Sequence, residues 1–303
     1  MRPFLCALAL ALAACSSREA EPPDTVPRAV ADAASDQSPS HDEIAGKLRA
    51  LRDRQACNRV TGCPGLVEIF QYGPELIAPA AEALFDPNRG DGHWTIVLPE
   101  LLGQLGDAKA SEPLTQLLAD RRWEIRIAAA VGLGHLATKA TPAARAEVLR
   151  LAAQPDNDPT GGGDLAFRAA LEFASMRFGD SDTKAHRDAL IALVPQRRET
   201  VLGTPAPILD VLVTLVGHAR LSEALPGVRE ALTTGNRFVV ASALDVAGKL
   251  QDNGAIPNVV ALLEDANPTI RRSALATLTR ITGASFDTAD AWRDWARRQK
   301  LIP

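Results

Sequence analysis

Two cysteines, Cys57 and Cys63, are the residues best suited to form a covalent cross-link. The chain has four cysteines; of the other two, Cys6 lies in an apolar N-terminal segment with the length of an export signal and Cys15 directly follows it. An exported chain meets an oxidising compartment in which thiols pair. The pattern predicts a disulfide between Cys57 and Cys63. Free thiols are the alternative, and metal binding is disfavoured because no matching His or Cys pair accompanies them.

A second candidate for chemistry is an acidic loop that partly matches a calcium-binding pattern. The oxygen donors at its first, third, fifth and ninth positions are Asp156, Asp158, Thr160 and Asp164. Position twelve is Phe167 and not the bidentate Glu that calcium requires, so calcium is disfavoured. The chain also has no glycine-rich phosphate loop and no nucleophile elbow. The sequence therefore predicts no catalytic residue, no metal and no cofactor.

The apolar run over residues 4–14 is too short to span a bilayer. It ends in LAACS at 12–16, which resembles the lipobox of bacterial lipoproteins. That resemblance implies that residues 1–14 are a signal peptide, that Cys15 is lipidated and becomes the N-terminus, and that Ser16 directs the protein to the outer membrane. The alternative is an ordinary secretory signal in which Cys15 is incidental.

Residues 15–40 are rich in Pro, Ala, Ser and Asp and contain no aromatic residue. Such a segment cannot bury enough apolar surface to fold, so it is predicted to be a flexible tether. The whole chain has a net charge of −4, which is far from the basic balance of nucleic-acid binders. The predicted contact with the membrane is the lipid anchor alone, and nucleic acid is not an expected partner.

Beyond residue 41, segments with apolar residues at helical spacing alternate with short polar breaks. Residues 117–136 superpose without gaps on 262–281, and a further unit directly precedes the last one, with Val228 matching Val259. The interval between these two valines is the length of one helix pair. Aromatic residues make up only 4% of the chain, which is typical of closely packed helices. The predicted fold is all-α.

The repeated residues resemble HEAT-like repeats of the short type found in phycobilisome-lyase-like proteins. The resemblance implies a right-handed α-α superhelix, an armadillo-type solenoid of about six helix pairs over 74–282. Residues 41–73 would form an N-terminal helical cap with the predicted disulfide, and 283–303 a C-terminal cap helix. It also implies structural roles at the turn and at the start of the second helix for Asp120, Arg126, Asp265 and Arg271.

Some HEAT-repeat proteins are metal-dependent hydroxylases whose iron ligands lie in His-Glu pairs. No Glu follows a histidine in this chain. The residues after the five histidines are Asp42, Trp94, Leu136, Arg187 and Ala219. That class of enzyme is excluded on this pattern, and lyase activity is not implied by the repeat alone.

The repeat is interrupted by extra residues inside the predicted pairs, at 154–164 and 195–207, with a milder expansion at 86–93. Insertions along one edge of a solenoid often mark a binding surface, although surface loops also tolerate extra length at little cost. The candidate partner-binding residues in these segments are Arg89, His93, Asp156, Asp158, Asp164, Arg197 and Arg198.

A column of mostly basic residues lies near the end of each predicted second helix: Gln104, His135, Arg177, His218, Lys249 and Arg280. Cations at helix C-termini interact favourably with the backbone dipole, which explains the column without a ligand. The alternative is a positive ladder for an acidic partner or a polysaccharide.

Together these features predict a membrane-tethered, non-catalytic scaffold of the bacterial cell envelope that binds another envelope protein. The alternatives are an envelope assembly factor that binds glycan or peptidoglycan and an enzyme whose site is built from the inserted loops.

Overall fold

The structure, a computed structural model, describes residues 39–54, 63–154, 162–179 and 181–303. Its elements in these ranges are helices joined by short turns, so the predicted all-α class is confirmed. The predictions for the signal peptide, the tether, Cys15, Cys57, Asp156 and Asp158 lie outside the described residues. None of the described helices is both long and apolar enough to cross a membrane.

Sixteen α-helices follow one another along these ranges. In chain order, α1 to α8 are His41–Arg54, Pro64–Phe70, Ile77–Phe85, Trp94–Gln104, Ser111–Leu117, Trp123–Leu136, Pro142–Ala152 and Gly162–Phe178. The helices α9 to α16 are Thr183–Leu193, Arg198–Gly203, Ala206–Ala219, Leu225–Ala231, Arg237–Lys249, Ile256–Ala261, Pro268–Thr282 and Ala289–Arg298.

The helices pack in pairs, and one member of each pair belongs to a continuous layer. The longer helices α4, α6, α8, α11, α13 and α15, here called the second helices, stack on one another in chain order. The shorter helices α5, α7, α12 and α14 each pack on the second helix that follows. This arrangement is that of a helical-repeat protein, in which each pair buries its apolar faces against its neighbours.

Local sequence signals set the helix boundaries. Thr141 accepts a hydrogen bond from the backbone N–H of Ala144 at the start of α7, and Asn236 caps α13 in the same way. These side chains satisfy backbone donors that have no partner within the helix. Gly283 ends α15 in the left-handed conformation, with φ 71°, which glycine adopts without steric cost. Because the breaks are short, consecutive helices must lie side by side.

Glycines bring neighbouring second helices unusually close together. The backbones of Gly103 in α4 and Gly132 in α6 touch, so a Cβ on Gly103 would overlap the backbone of Gly132. A Cβ on Gly134 would lie 2.5 Å from Cε1 of Phe173 in α8. Small residues at a helix contact permit this short separation. The side chains that follow these glycines on adjacent helices are therefore brought close to one another.

The fourth pair departs from the repeat. Half of the insertion predicted at 195–207 is not an irregular loop but the short helix α10, which packs on α12. Val201 in α10 is buried, and the carbonyl oxygen of Pro195 lies against Gly227 in α12. The extra residues fold here because they contribute an apolar side chain to the core.

Terminal helices cover the two ends of the array. At the N-terminal end α1 packs against α3 and buries Ile44 and Leu48. At the C-terminal end α16 packs against α14. Trp292 is fully buried there, and its indole N–H donates to the carbonyl oxygen of Phe286. The two tryptophans of α16 contact each other edge to face, so Trp292 and Trp295 pack as the cap of the last pair.

Candidate metal centre

The basic column identified in the sequence lies at the C-terminal ends of the second helices. His135, His218 and Lys249 are each in the last turn of their helix. Most members of the column directly follow a glycine; these glycines are Gly103, Gly134, Gly217 and Gly248. A Cβ on Gly217 would lie 2.8 Å from Val246 of α13. The column thus lies where glycines let neighbouring second helices pack closely.

Two histidines of this column meet one carboxylate. The Oε1 atom of Glu100, in α4, lies 3.5 Å from Nε2 of His135 in α6 and 3.5 Å from Nε2 of His218 in α11. The imidazole rings are edge to face, with centroids 4.9 Å apart. In the described part of the chain these three residues form the one group of His, Cys, Asp or Glu donors close enough to hold a metal ion.

The surroundings of the three side chains fix their positions. The ring of Phe173, which is buried, contacts both imidazoles at centroid distances of 5.9 and 6.0 Å. Gln104 donates a hydrogen bond of 3.1 Å to Oε1 of Glu100, one helical turn further along α4. The buried ring of Phe173 and the hydrogen bond from Gln104 are the kind of outer contacts that orient metal ligands.

Electrostatics leave Glu100 ionised and His218 neutral at neutral pH. Burial acts to raise the pKa of Glu100, but its interactions with His135, His218 and the amide of Gln104 outweigh burial and lower the pKa to about 2. Burial lowers the pKa of His218, an effect that the attraction of Glu100 only partly offsets. A carboxylate and a neutral imidazole are the forms of these groups that bind metals.

The two distances of 3.5 Å are too long for ordinary hydrogen bonds. The Nε2 atom of His135 is buried and has no hydrogen-bond partner. Elsewhere in the protein, His186 and Glu172 approach to 2.8 Å as a hydrogen-bonded pair. The Glu100 group thus lacks the short contact that the His186–Glu172 pair makes.

The separation agrees with tetrahedral coordination. Zinc binds nitrogen and oxygen ligands at about 2.0–2.1 Å, so two ligands at the tetrahedral angle lie roughly 3.3–3.4 Å apart. Ligands at right angles in an octahedron would lie only about 2.9 Å apart at the same bond length. Two of the three donor separations thus have the length that zinc ligands would need, and all three donor atoms lie within 4.8 Å of one another.

The predicted partner-binding residues do not converge on this centre. Arg89 bonds to Asp120 at 2.5 Å, Asp164 lies 3.6 Å from Arg126, and the exposed Arg198 lies 3.2 Å from Glu230. His93 precedes the first turn of α4 and Arg197 that of α10. Partner binding by these residues stays a prediction.

The repeated Asp and Arg residues make the contacts of a turn. Asp120 accepts from the backbone N–H of Arg122, and Asp265 accepts from that of Asn267. Arg126 donates to the carbonyl oxygen of Asp120. Arg271 does the same at Asp265, at 2.6 Å. Each Arg thus ties its second helix to the preceding turn. The disulfide between Cys57 and Cys63 stays a prediction, since Cys57 is outside the described ranges.

The sequence analysis assigned no metal ligand and treated His135 and His218 as members of a basic column. Two signals in the sequence point to the centre: the same Gly-His pair ends α6 and α11, and Glu100 lies one turn before the matching Gln104 in α4. Neither signal shows that α4 and α11, which are not neighbours in the layer, bring their side chains into contact.

Comparison with known proteins adds little to this picture. No family model matches the chain, and no curated protein matches it. A solved structure of human deoxyhypusine hydroxylase in complex with glycerol is similar over 80% of this chain and 98% of that one, with 15% identity and a TM-score of 0.34. Likeness at this level transfers neither activity nor site residues. The fold and the site define an all-α helical-repeat protein with a two-histidine, one-carboxylate group.

Proposed function

We propose that the protein binds a divalent transition-metal ion of the zinc type through Glu100, His135 and His218. The observation that carries the proposal is the convergence of two imidazole Nε2 atoms on one carboxylate oxygen, each at 3.5 Å. Two nitrogen donors favour zinc and related ions over calcium or magnesium, which prefer ligand sets made of oxygen.

Elemental analysis of the purified full chain tests this proposal. After removal of bound metal with a chelator and dialysis against Zn²⁺, we expect one zinc per chain. Each of the variants Glu100→Gln, His135→Gln and His218→Gln should retain much less. Circular dichroism of each variant checks that the helical fold is intact, because loss of folding would also release metal.

His186→Gln is the matched control. His186 also contacts a carboxylate, and its side-chain exposure of 18% is close to the 17% of His218, but the described residues give it no third donor. It should keep the zinc of the wild type. Equal zinc in folded His218→Gln and wild-type protein would refute the proposed centre.

A second candidate function, which depends on a different part of the chain, is that of a lipid-anchored scaffold of the bacterial cell envelope. The LAACS sequence at 12–16 supports the anchor, and the stack of helix pairs offers the long surface on which repeat proteins bind partners. The expected partner is another envelope protein; glycan or peptidoglycan is the alternative. The two proposals are compatible, since the metal ligands and the anchor use different residues.

Membrane fractionation of Cys15→Ser tests the anchor, which predicts release into the soluble fraction. Crosslinking in the native envelope, with residues 156–163 replaced by a short linker, tests the binding surface. Capture of a specific protein by the wild type alone would support the inserted edge, whereas salt-sensitive binding to glycan would favour the alternative partner.

A further inference from the structure

The proposed metal centre has an open position. Zinc takes four ligands, and sites with three protein ligands leave the fourth to water or to a bound molecule. The side chains of Glu100, His135 and His218 retain 31%, 20% and 17% of their exposure. The three side chains thus keep some contact with solvent, while Nε2 of His135 is itself buried, so a fourth ligand would have to approach from the exposed side of the cluster.

The centre would carry a positive charge. One carboxylate and two neutral imidazoles neutralise half of the charge of a divalent ion. An anionic oxygen ligand at the fourth position would balance the remaining charge, which water does not.

A second cluster of charge continues the column beside this centre. Asp245 and Lys249, on α13, form an ion pair of 2.6 Å, and Arg280 of α15 lies 3.3 Å from the same carboxylate. Two cations thus share one anion, which leaves a net charge of +1. Lys249 and Arg280 keep 35% and 43% of their side-chain exposure, so this charge is available at the surface.

The repeat places the two clusters side by side. Lys249 follows His218 by one full repeat, so it has the same position on the next second helix of the layer. The contact of Gly217 with Val246 keeps α11 and α13 close, and the side chain of Arg280 from α15 lies against Gly248 of α13. Adjacent helices in contact are about 8–10 Å apart, which sets the span from the metal to the basic cluster.

We propose that the open position of the metal binds the carboxylate or phosphate of an acidic ligand, and that Lys249 and Arg280 bind a second anionic group of the same ligand. This inference rests on the proposed metal centre. The alternative role of the two cations, neutralising Asp245, requires only one of them.

The test uses the full chain loaded with Co²⁺, whose visible spectrum responds to a change of its ligands. The probes are acetate, inorganic phosphate and the dicarboxylate series from succinate to suberate. We expect at least one dicarboxylate to bind about tenfold more tightly than acetate, which corresponds to about 1.4 kcal/mol for one additional charge-assisted contact. The length of the best dicarboxylate measures the span, and the relative affinity of phosphate and acetate identifies the oxyanion preferred at the metal.

The double variant Lys249→Met, Arg280→Met should bind Co²⁺ normally and lose the advantage of the dicarboxylate over acetate. Lys184→Met is the matched control, because Lys184 also pairs with an Asp four residues away, Asp188, but on α9 outside the second-helix layer. It should behave as wild type.

The possible failures are distinguishable. Absence of Co²⁺ binding would overturn the metal centre and this inference with it. Normal Co²⁺ binding with a spectrum that no anion changes would overturn the inference alone. Equal affinity for acetate and every dicarboxylate, or an unchanged preference in the double variant, would show that Lys249 and Arg280 do not contact the ligand.

Discussion

The close contact between α4 and α6 can be tested with a single added methyl group. In Gly132→Ala the new Cβ would lie 2.5 Å from the carbonyl oxygen of Pro99 and 3.2 Å from the nearest methyl groups of Leu114. An ordinary contact between carbon and oxygen is about 3.3 Å. Pro99 immediately precedes Glu100, and its backbone oxygen cannot rotate away, so α4 and α6 must separate by about 0.8 Å.

That separation has a cost in stability and an effect on the site. Overpacking against rigid backbone costs up to about 3 kcal/mol, and replacing glycine by alanine inside a helix returns about 1 kcal/mol. We expect the free energy of unfolding to fall by about 2 kcal/mol. Because Glu100 moves with α4 and His135 with α6, their 3.5 Å separation should also widen and weaken zinc binding, by about the 10- to 100-fold seen when outer contacts of a metal site are lost.

Urea denaturation followed by circular dichroism measures the first effect, and competition with a zinc chelator the second. Gly46→Ala in α1 is the matched control, since the nearest atom to its Cβ would be the end of the Arg49 side chain at 3.9 Å. This variant should be more stable than wild type by up to about 1 kcal/mol. If Gly132→Ala were as stable as Gly46→Ala, the packing described for α4 and α6 would be wrong.

Three further predictions concern other parts of the molecule. Because Glu100 stays ionised down to about pH 2, zinc should be released by protonation of imidazole before Glu100 is protonated as the pH falls. Burial lowers the pKa of His218, which moves this release below the ordinary imidazole range. Equilibrium dialysis measures the release, and release only near pH 2 would contradict the prediction. Asp252→Asn should lower the free energy of unfolding in urea by about 3 kcal/mol, because Asp252 is 4% exposed and accepts two hydrogen bonds from the guanidinium of Arg229. Asp107→Asn is the control: it changes a helix cap without an arginine contact and should lower the free energy of unfolding by less than about 1 kcal/mol. Trp292→Ala should cost about 3–5 kcal/mol and speed hydrogen exchange in α14 and α16 first; uniform exchange throughout would show that the cap does not fold as a separate unit.

The helical-repeat fold could be predicted from sequence because its determinants are local. Apolar residues at helical spacing, caps such as Thr141 and Asn236, and a regular period the length of one helix pair together require helix pairs that stack. The insertion at 195–207 was harder to interpret, because a single apolar residue, Val201, makes the difference between a surface loop and a helix that packs on the core. Helix propensity alone does not show which of these two structures the segment adopts.

The candidate metal centre could be predicted only in part. The sequence places His135 and His218 at equivalent helix ends, and that equivalence follows from the repeat. It does not reveal that Glu100 joins them, since no sequence spacing specifies a contact between α4 and α11. The glycine contacts that draw the layer together depend on which helix faces each glycine, and this is a property of the packed array.

The amino-acid sequence by itself thus determined the secondary structure, the pairing of helices and the alignment of the basic column, because each depends on interactions within about one repeat. Only the tertiary structure decided that two members of the column converge on the carboxylate of Glu100 while others, such as Lys249, bind Asp245. The physical reason is that Glu100 and His218, which meet at 3.5 Å, belong to helices three positions apart in the layer, so their contact depends on how the whole array packs and not on any spacing within one repeat.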